Sequence, residues 1–560
     1  MRKLKSYMHN YSRAILTDTG VMIKDQQSLS ADDVKNSPDV FDAASDPFGD
    51  QQESTARSSL ESTSLISCVT CLSDNESLSE TRGGRSLPAN TLIPYAKILH
   101  ARKVCEVTTE LSSYRDDVTS GQDTVPGDPC AELLSSLIEV TIAKPRRQDL
   151  VPKKLLLRFG TTLVGEDIVE TLMQRSYKYS RPGKSILVLV NPHGGKGQAK
   201  KLFLSKVKPI LIASNCDVEE VDTTHQGHAM ELARTIELDK YDIVACASGD
   251  GIPHEVLNGL FQREDRAEAF KKLAITQLPC GSGNAMSLSC HGTLNPTYAA
   301  LSVVKAPEIR IDLMCCTQES YKNQPRVSFL SQTYGIIAES DINTEFIRWM
   351  GPSRFELGVF VNILQRKKYP CELYVKYSAK TKNELRDHYN FHKKKQEGNA
   401  SGSTIDNTRQ EEIEEAQFQL KYSISEEIPE DWEVVDPAVT NNLGIFYSGK
   451  MPYIAPNTKF FPAALPCDGS FDLVLTDART SLTRMAPILL SLDKGSHVLQ
   501  PEVIHSKVSA YRLIPKMENS VISVDGEKFP FEPLQVEVLP GLCKTLSYNG
   551  SYVETDFENM

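Results

Sequence analysis

The sequence predicts an α/β domain built on a parallel sheet, followed by a mainly β domain that forms a sandwich. Between residues 184 and 315, apolar runs of strand length alternate with helical patterns. Fully apolar strands are expected where helices cover both faces of a parallel sheet. Glycine-bearing turns separate several of these strands from the helices that follow. From residue 320 to about 555, short strands separated by turn signals predominate, which indicates the second, β domain.

The first 180 residues divide into two parts. Residues 1–90 are rich in Ser, Asp, Gln and Thr, and we expect a disordered tail because so few apolar side chains cannot offset chain entropy. A small apolar island in this tail holds Cys68 and Cys71, which are candidates for palmitoylation; two acyl chains would give stable membrane anchoring. Residues 91–180 carry strand patterns and one helical pattern, and resemble a pleckstrin-homology-like module.

Basic residues cluster in this β-rich module. They form either an anionic-lipid patch or a solvated rim of a small domain, and the sequence leaves both interpretations open. The residues are Lys144, Arg146, Arg147, Lys153 and Lys154.

The elements of the α/β domain follow from periodicity. Strand patterns occupy residues 185–190, 219–223, 241–247 and 273–278, and helical patterns occupy residues 198–212 and 227–236. In the β domain, residues 371–377, 471–475 and 520–524 read as strands. Residues 380–425 contain few apolar side chains and are expected to form a mobile insertion between strands.

Composition excludes several classes of protein. The 560 residues carry a net charge of −11, which argues against a general nucleic-acid binder. No apolar run is long enough to span a bilayer, and no signal peptide follows the basic N-terminus. The 13 cysteines are scattered, which favours reduced thiols over a disulfide framework. We therefore expect a cytoplasmic protein.

Two glycine-rich turns have the setting of a phosphate-binding site. Gly194-Gly195-Lys196-Gly197 and Gly281-Ser282-Gly283-Asn284 each follow an apolar strand and open a helix. The first N–H groups of a helix are free and its dipole favours anions. Neither turn is a Walker A loop or a full dinucleotide fingerprint. Together, two such turns on one sheet predict a nucleotide site, whereas one alone is equally well a tight connection.

A third turn adds a carboxylate to this edge. In Ser248-Gly249-Asp250-Gly251, Asp250 lies between two glycines at the end of an apolar strand. A carboxylate beside phosphates is unfavourable unless it binds Mg²⁺ or accepts a proton. A kinase uses such a group to accept the proton of the acceptor hydroxyl. The turn therefore predicts phosphoryl transfer.

These motifs together resemble the sphingosine, or long-chain base, kinases of the diacylglycerol-kinase catalytic superfamily, in a fungal form. The resemblance runs from about residue 184 to 550 and rests on Asn-Pro-x-Gly-Gly-Lys-Gly, Ser-Gly-Asp-Gly-x-x-His-Glu, Pro-x-Gly-Ser-Gly-Asn and Val524-Asp525-Gly526-Glu527. It implies an NAD-kinase-like or diacylglycerol-kinase-like nucleotide domain, a C-terminal β-sandwich, and an active site between them.

The resemblance also implies roles for individual residues. Asp250 is the general base, and the sphingoid substrate lies against Ser248, Gly249, Asp250, Gly251 and Asp341. ATP binds with Mg²⁺ on its phosphates, and protein ligands of the metal are left open. The implied ATP-binding residues are Asn191, Pro192, His193, Gly195, Lys196, Thr223, Thr224, His225, Gln226, Gly227, Ser248, Glu255, Gly281, Ser282, Gly283, Arg348, Arg354, Asp525, Gly526 and Glu527.

Asp341 matches the acid that the family uses for the sphingoid amine, and Glu339 could share that role. Five apolar residues form either a sleeve for the alkyl tail or plain sandwich core. These residues are Phe329, Ile337, Phe355, Leu357 and Phe360.

The implied activity is ATP-dependent phosphorylation of the primary hydroxyl of sphingosine, dihydrosphingosine or phytosphingosine. A diacylglycerol or ceramide kinase is the alternative, and an NAD kinase and an inactive membrane scaffold are more distant ones. We expect a peripheral protein at the cytosolic face of membranes that binds no nucleic acid; the oligomeric state is open.

Overall fold

The computed structural model describes residues 10–28, 90–104, 136–159, 167–343, 367–401 and 413–560. It divides into two compact units, one within residues 1–178 together with residues 213–215, the other within residues 179–212 and 216–560. Seven residues singled out from the sequence lie outside the described ranges, namely Cys68, Cys71, Arg348, Arg354, Phe355, Leu357 and Phe360.

The first unit is a six-stranded sheet with one helix. The strands pair in the order β3-β2-β1-β6-β5-β4, all antiparallel except β1 and β6. Helix α1 packs Leu172 into the core beside Val21, Ile98, Val140 and Leu157. The elements are β1 (Asn10–Leu16), β2 (Gly20–Ser28), β3 (Leu92–Pro94), β4 (Ile98–Lys103), β5 (Leu137–Arg146), β6 (Asp149–Phe159) and α1 (Ile168–Ser176).

Strands β1 and β2 correct the prediction that residues 1–90 are uniformly a disordered tail. They supply buried side chains to the same core, among them Ala14, Val21 and Ile23. The signal is weak in the sequence because each strand offers few apolar residues, and because β1 also pairs with β6 and β2 with β3, both far along the chain. The β-rich module therefore begins well before residue 91.

The second unit begins with the predicted α/β domain. Its parallel strands are ordered β10-β9-β7-β8, and every residue of β9 and β10 is buried. The strands are β7 (Ser185–Val190), β8 (Asp217–Asp222), β9 (Ile243–Ser248) and β10 (Ala274–Pro279). The helices are α2 (Gly194–Gly197), α3 (Ala199–Leu202), α4 (Lys208–Ala213), α5 (His228–Thr235), α6 (Gly251–Phe261), α7 (Arg266–Lys272), α8 (Ala285–His291) and α9 (Pro296–Lys305).

The remaining strands build the predicted β-sandwich. Strand β11, which we place in the α/β domain by sequence, pairs with β21, and β21 pairs in turn with β10, so the strands of the two domains form one continuous sheet. The strands are β11 (Glu308–Thr317), β12 (Arg326–Ser328), β13 (Ser331–Gly335), β14 (Cys371–Ala379), β15 (Glu433–Val434), β16 (Leu443–Gly449), β17 (Phe471–Asp477), β18 (Val503–Pro515), β19 (Ile522–Val524), β20 (Glu527–Phe529) and β21 (Leu534–Leu546). The helices are α10 (Ile336–Asn343), α11 (Lys382–Ser401), α12 (Pro437–Thr440) and α13 (Leu482–Leu490).

Helix α11 lies within residues 380–425, for which the sequence predicts a mobile insertion. Leu385 and Tyr389 of this helix pack against Leu465, Val498 and Phe557. Lys393 of the same helix pairs with Glu554 and Glu558. Few of the anchoring residues are apolar, and for that reason the composition of the segment resembles that of a loop. The first half of the insertion is therefore a docked helix.

The described cysteines agree with the expectation of reduced thiols. Nine lie in the described ranges, all without a disulfide, and eight of them are buried. Burial raises the pKa of Cys280, next to a glycine-rich turn, to about 12. This thiol is therefore protonated at neutral pH. None of the helices in the described ranges is both long enough and apolar enough to cross a bilayer.

Candidate active site

Four turns meet at the carboxyl edge of the parallel sheet. Strands β7, β8, β9 and β10 all run in the same direction, so the turns that follow them share one edge. The turns comprise residues 191–193, 223–227, 249–250 and 280–284. The sequence predicts this gathering, and the edge is where open α/β sheets bind their ligands.

Glycines allow the turns to touch backbone to backbone. A Cβ at Gly281 would overlap the backbone of Gly249, and a Cβ at Gly195 would overlap the carbonyl oxygen of Cys280. Gly195 also has a φ of 56°, in the left-handed region that favours glycine. These contacts leave an edge lined by main chain rather than side chains. Such a cradle lets N–H groups approach a phosphate closely.

Asp250 lies at the centre of this edge, at the start of helix α6. Its Oδ1 accepts hydrogen bonds from Nε2 of Gln277 at 3.0 Å and from the backbone N–H of Ala285 at 2.8 Å. Its Oδ2 occupies the space that a side chain at Gly283 would need. Burial raises the pKa of Asp250 to about 6, against the opposing effect of the Gln277 hydrogen bond. The carboxylate is thus fixed in place and is a proton acceptor near neutral pH.

Gln277 is a site residue that the sequence analysis missed. The backbone N–H of Ser287 donates to its Oε1 at 2.9 Å, which turns Nε2 toward Asp250. The sequence signal for Gln277 is a polar residue within an otherwise apolar strand, β10, where it is fully buried. Its amide both orients the carboxylate and stabilises its ionised form.

Glu255 stabilises the turn that precedes helix α5. Its two carboxylate oxygens accept from the backbone N–H groups of Gly227 at 2.9 Å and Ala229 at 3.0 Å. These are free N–H groups at the start of helix α5, so Glu255 acts as a cap for that helix. Its side chain therefore holds the turn of residues 223–227, and both oxygens are already used there.

The same turn contacts the hairpin formed by β19 and β20. Nε2 of Gln226 donates to the carboxylate of Glu527 at 3.0 Å. The hairpin turns at Asp525 and Gly526, whose φ angles of 51° and 85° are both positive, as in a type I′ turn. The sandwich thus delivers Gly526 and Glu527 to the edge of the α/β sheet, as the resemblance implies.

The side chain of Asp525 faces away from solvent. Its Oδ1 accepts from Oγ of Ser328 at 2.6 Å and from the backbone N–H groups of Leu330 and Ser331 at 3.1 and 2.9 Å. Its Oδ2 accepts from the N–H of Phe329 at 3.2 Å and lies 2.8 Å from Nδ1 of His254. With five partners, the carboxylate is occupied, and a contact of Asp525 with a nucleotide would use its backbone.

His254 also belongs to the site, although the sequence analysis gives it no role. It lies on α6 one turn beyond Asp250, and Asn258, one turn further, exchanges two hydrogen bonds with Val327 of β12 at 2.8 and 2.9 Å. Helix α6 is therefore bonded to the sandwich at two positions. His254 lies within a recognisable motif, but its structural role could not be read from the sequence because its partner, Asp525, is 271 residues away.

Other predicted ATP-site residues shape the turns. Oδ1 of Asn191 accepts from the N–H of His193 at 3.1 Å, and Oγ of Ser248 donates to the carbonyl of Gly249 at 2.8 Å. Thr223 is buried, and Thr224 contacts the rings of His225 and His228. Pro192, Lys196 and Ser282 lie in the same turns or at their helix starts.

Helix α10 carries the backbone of Asp341 directly after β13. Glu339 lies on the same helix, and its buried carboxylate accepts from Lys367 at 2.6 Å, Tyr369 at 2.8 Å and Ser520 at 3.1 Å. Because Lys367 already pairs with this carboxylate, the structure favours a structural role for Glu339 over a share in binding an amine.

Two of the apolar residues with alternative interpretations are described. Phe329 and Ile337 are both buried, in the cores of the α/β domain and the sandwich respectively. They have the packing expected of core residues.

Comparisons with known proteins agree with this geometry. The family described as the diacylglycerol kinase catalytic domain matches residues 185–316, and the YegS C-terminal NAD kinase beta sandwich-like domain matches residues 447–547. "Sphingoid long chain base kinase 5" of Saccharomyces cerevisiae is 47% identical and covers 100% of this chain and 98% of its own.

More distant relatives match a part of this chain. "Sphingoid long chain base kinase 4" of Schizosaccharomyces pombe is 32% identical over 73% of this chain and 84% of its own. "Sphingosine kinase 1" of Arabidopsis thaliana is 30% identical over 63% and 70%. The chain belongs to the family of the sphingoid long chain base and sphingosine kinases.

Proposed function

We propose that the chain is a lipid kinase that transfers the γ-phosphoryl group of ATP to the primary hydroxyl of a sphingoid long-chain base. The observation that carries the proposal is the setting of Asp250, a carboxylate with a pKa of about 6 held beside the glycine turns. The names of the relatives, sphingoid long chain base kinase and sphingosine kinase, support the same acceptor.

The glycine turns fit the phosphates of ATP. At Gly195 and Gly281 the space that a Cβ would need is filled by the main chain of the neighbouring turn, so the turns pack closely and present main chain at the sheet edge. We assign the phosphates to these turns, to Gly526 and to the cations Lys196, Arg348 and Arg354, whose charges would neutralise them. The adenosine would lie along the turn of residues 223–227.

Mg²⁺ is the metal expected with ATP, and it would neutralise charge that develops on the transferring phosphoryl group. Carboxylate oxygens are the ligands that this hard cation prefers. Glu527, half-buried at the site edge, is the residue that would hold it.

Asp250 performs the proton step. The acceptor hydroxyl donates its proton to Oδ2, while Gln277 and the Ala285 N–H hold Oδ1. The hydroxyl oxygen forms the new bond to the γ-phosphorus, and the bond from phosphorus to the β–γ bridging oxygen breaks. With a pKa of about 6, most Asp250 carboxyls are ionised at pH 7 and ready to accept.

Selectivity for the base is assigned to Asp341. A sphingoid base carries an ammonium group close to its primary hydroxyl, whereas ceramide carries an amide and diacylglycerol an ester. A carboxylate gains Coulomb energy only with the ammonium. Glu339 is unable to compete for the amine because Lys367 already pairs with it.

A membrane surface is the proposed partner, because long-chain bases reside in bilayers. Acylation of Cys68 and Cys71 remains a proposal for additional anchoring.

Transfer of radiolabelled phosphate across a panel of purified lipids tests the function. Sphingosine, dihydrosphingosine and phytosphingosine are expected to accept phosphate, whereas ceramide and diacylglycerol are not. Equal turnover of sphingosine and its N-acylated form would defeat the proposal and favour a kinase for neutral lipids.

A further inference from the structure

An exposed apolar face occurs in the connection between β17 and β18. Of the eleven large hydrophobic residues exposed in the described ranges, four lie within this one connection and the start of β18: Leu482, Leu490, Leu499 and Ile504. Leu490 is 81% exposed, more than any other of the eleven. Single exposed apolar residues are common on proteins, but such a cluster marks an interaction site.

Helix α13 organises this face. Leu482, Ala486 and Leu490 follow at intervals of four residues, so they form one side of the helix, here named the α13 stripe. All three are exposed. The other side of the helix buries Met485 and Ile488 in the sandwich core, so the helix is anchored while its stripe faces outward. Helix α13 is thus apolar on both sides.

The sheet topology places α13 at the same end of the sandwich as helix α10, which carries Asp341; this end is here named the acceptor end. Asp477, the last residue of β17, pairs with Leu443 at the start of β16. Ile445 of β16 in turn pairs with Gly335, the last residue of β13. Helix α10, with Asp341, follows directly after Gly335. Both helices therefore leave the sheet at the same end.

The size of the stripe argues against a protein partner. A helix of 9 residues is about 14 Å long and presents a side about 10 Å wide, on the order of 150 Å². A stable protein–protein interface needs about 800 Å² from each partner. A short apolar helix suits a lipid surface, where a few side chains enter the boundary between headgroups and acyl chains.

We propose that the α13 stripe docks on the phospholipid bilayer that contains the substrate and so turns the acceptor end of the sandwich toward it. The inference deepens the proposed function and rests on it, because a lipid acceptor is the reason to approach a bilayer. Nearby charges balance: Arg484 pairs with Glu502, and Asp493 and Lys494 are neighbours. Docking therefore depends on apolar contact and is largely insensitive to salt.

Vesicle flotation of the full chain tests the proposal. The variant Leu482→Gln/Leu490→Gln keeps the buried side of α13, and its thermal unfolding should match the wild type. On neutral phosphatidylcholine vesicles we expect it to bind at least about tenfold more weakly. Ile212→Gln is the matched control, since Ile212 is also an exposed apolar residue on a helix, 52% exposed, and its removal should leave flotation unchanged.

Kinetics separate this inference from the proposed function. The double variant should phosphorylate a water-soluble short-chain base as the wild type does, yet lose about tenfold on the base carried in vesicles. Absence of phosphorylation in every protein, with weakened flotation of the variant, would defeat the function but leave the docking surface. Unchanged flotation of the double variant would overturn the proposal that the α13 stripe docks on a bilayer. A wild-type dimer that the substitutions convert to monomer, with flotation unchanged, would show instead that the stripe is a dimer interface.

Discussion

Oδ2 of Asp525, on the turn between β19 and β20, lies 2.8 Å from Nδ1 of His254 on helix α6. This contact joins the sandwich to the helix that begins next to Asp250, and both side chains are almost fully buried. Four further donors converge on the same carboxylate. Asp525 therefore fixes the position of Gly526 and Glu527 relative to Asp250.

Asp525→Ala should lower the free energy of unfolding by about 3 kcal/mol, because buried donors lose their acceptor. Urea denaturation measures this loss. Glu527→Gln, two residues along the same hairpin, should cost under about 1 kcal/mol because its carboxylate is partly exposed. A stability loss equal for both variants would contradict the assignment of Asp525 as the buried anchor.

Gly195→Ala should raise the KM for ATP by at least about tenfold, since the new methyl meets the carbonyl of Cys280 at a positive φ. Gly194→Ala is a matched control, because its nearest neighbours would lie at 3.6 Å, an ordinary contact. Steady-state kinetics with varied ATP compare the two. If both substitutions had the same effect on KM, the turn would not be a phosphate cradle.

The pH profile should report the environment of Asp250. Only the ionised carboxylate accepts a proton, so kcat/KM should fall about tenfold per pH unit below pH 6. Gln277→Leu removes a donor that favours the ionised form, and the acid limb should move to higher pH. Thr276→Val is the control on the same strand, because that hydroxyl contacts His291 instead. An acid limb that stays in place in the Gln277 variant would refute this explanation.

Asp341→Asn should raise the KM for a sphingoid base at least about tenfold while the KM for ATP changes little, because the amide lacks the charge that pairs with an ammonium. Kinetics with each substrate varied in turn provide the measurement. Glu339→Gln serves as comparison, since its partners are Lys367, Tyr369 and Ser520 within the protein. If Glu339→Gln raised the KM for the base and Asp341→Asn did not, the amine-binding role would belong to Glu339 rather than to Asp341.

The fold was predictable from the sequence where local signals are strong. The apolar strands β7, β9 and β10 are confirmed because burial on both faces requires continuous apolar runs. Strands β1 and β2 escaped prediction because their own apolar content is low and because β6, which pairs with β1, lies more than a hundred residues away.

The site residues likewise fall into those with a local sequence pattern and those that depend on tertiary contacts. Asp250 and the glycine turns were predicted because each turn carries its own local pattern. The burial of Asp525, the cap formed by Glu255 and the hydrogen bond from Gln277 depend on residues that only tertiary structure brings together. The internal hydrogen bonds of Glu339 also depend on Lys367 and Ser520 from other segments.

The role of Asp250 as proton acceptor is tested most directly by phosphate transfer to dihydrosphingosine, measured for Asp250→Asn beside the wild type. Asparagine retains the acceptor for Gln277 and Ala285 and relieves a buried charge, so the variant should be folded, at least as stable at pH 7, and still bind ATP. If Asp250 is the proton acceptor, the variant should lose transfer by at least about 10²-fold with the affinity for ATP retained. Transfer at the wild-type rate would contradict this role, because the reaction would then need no base at this position.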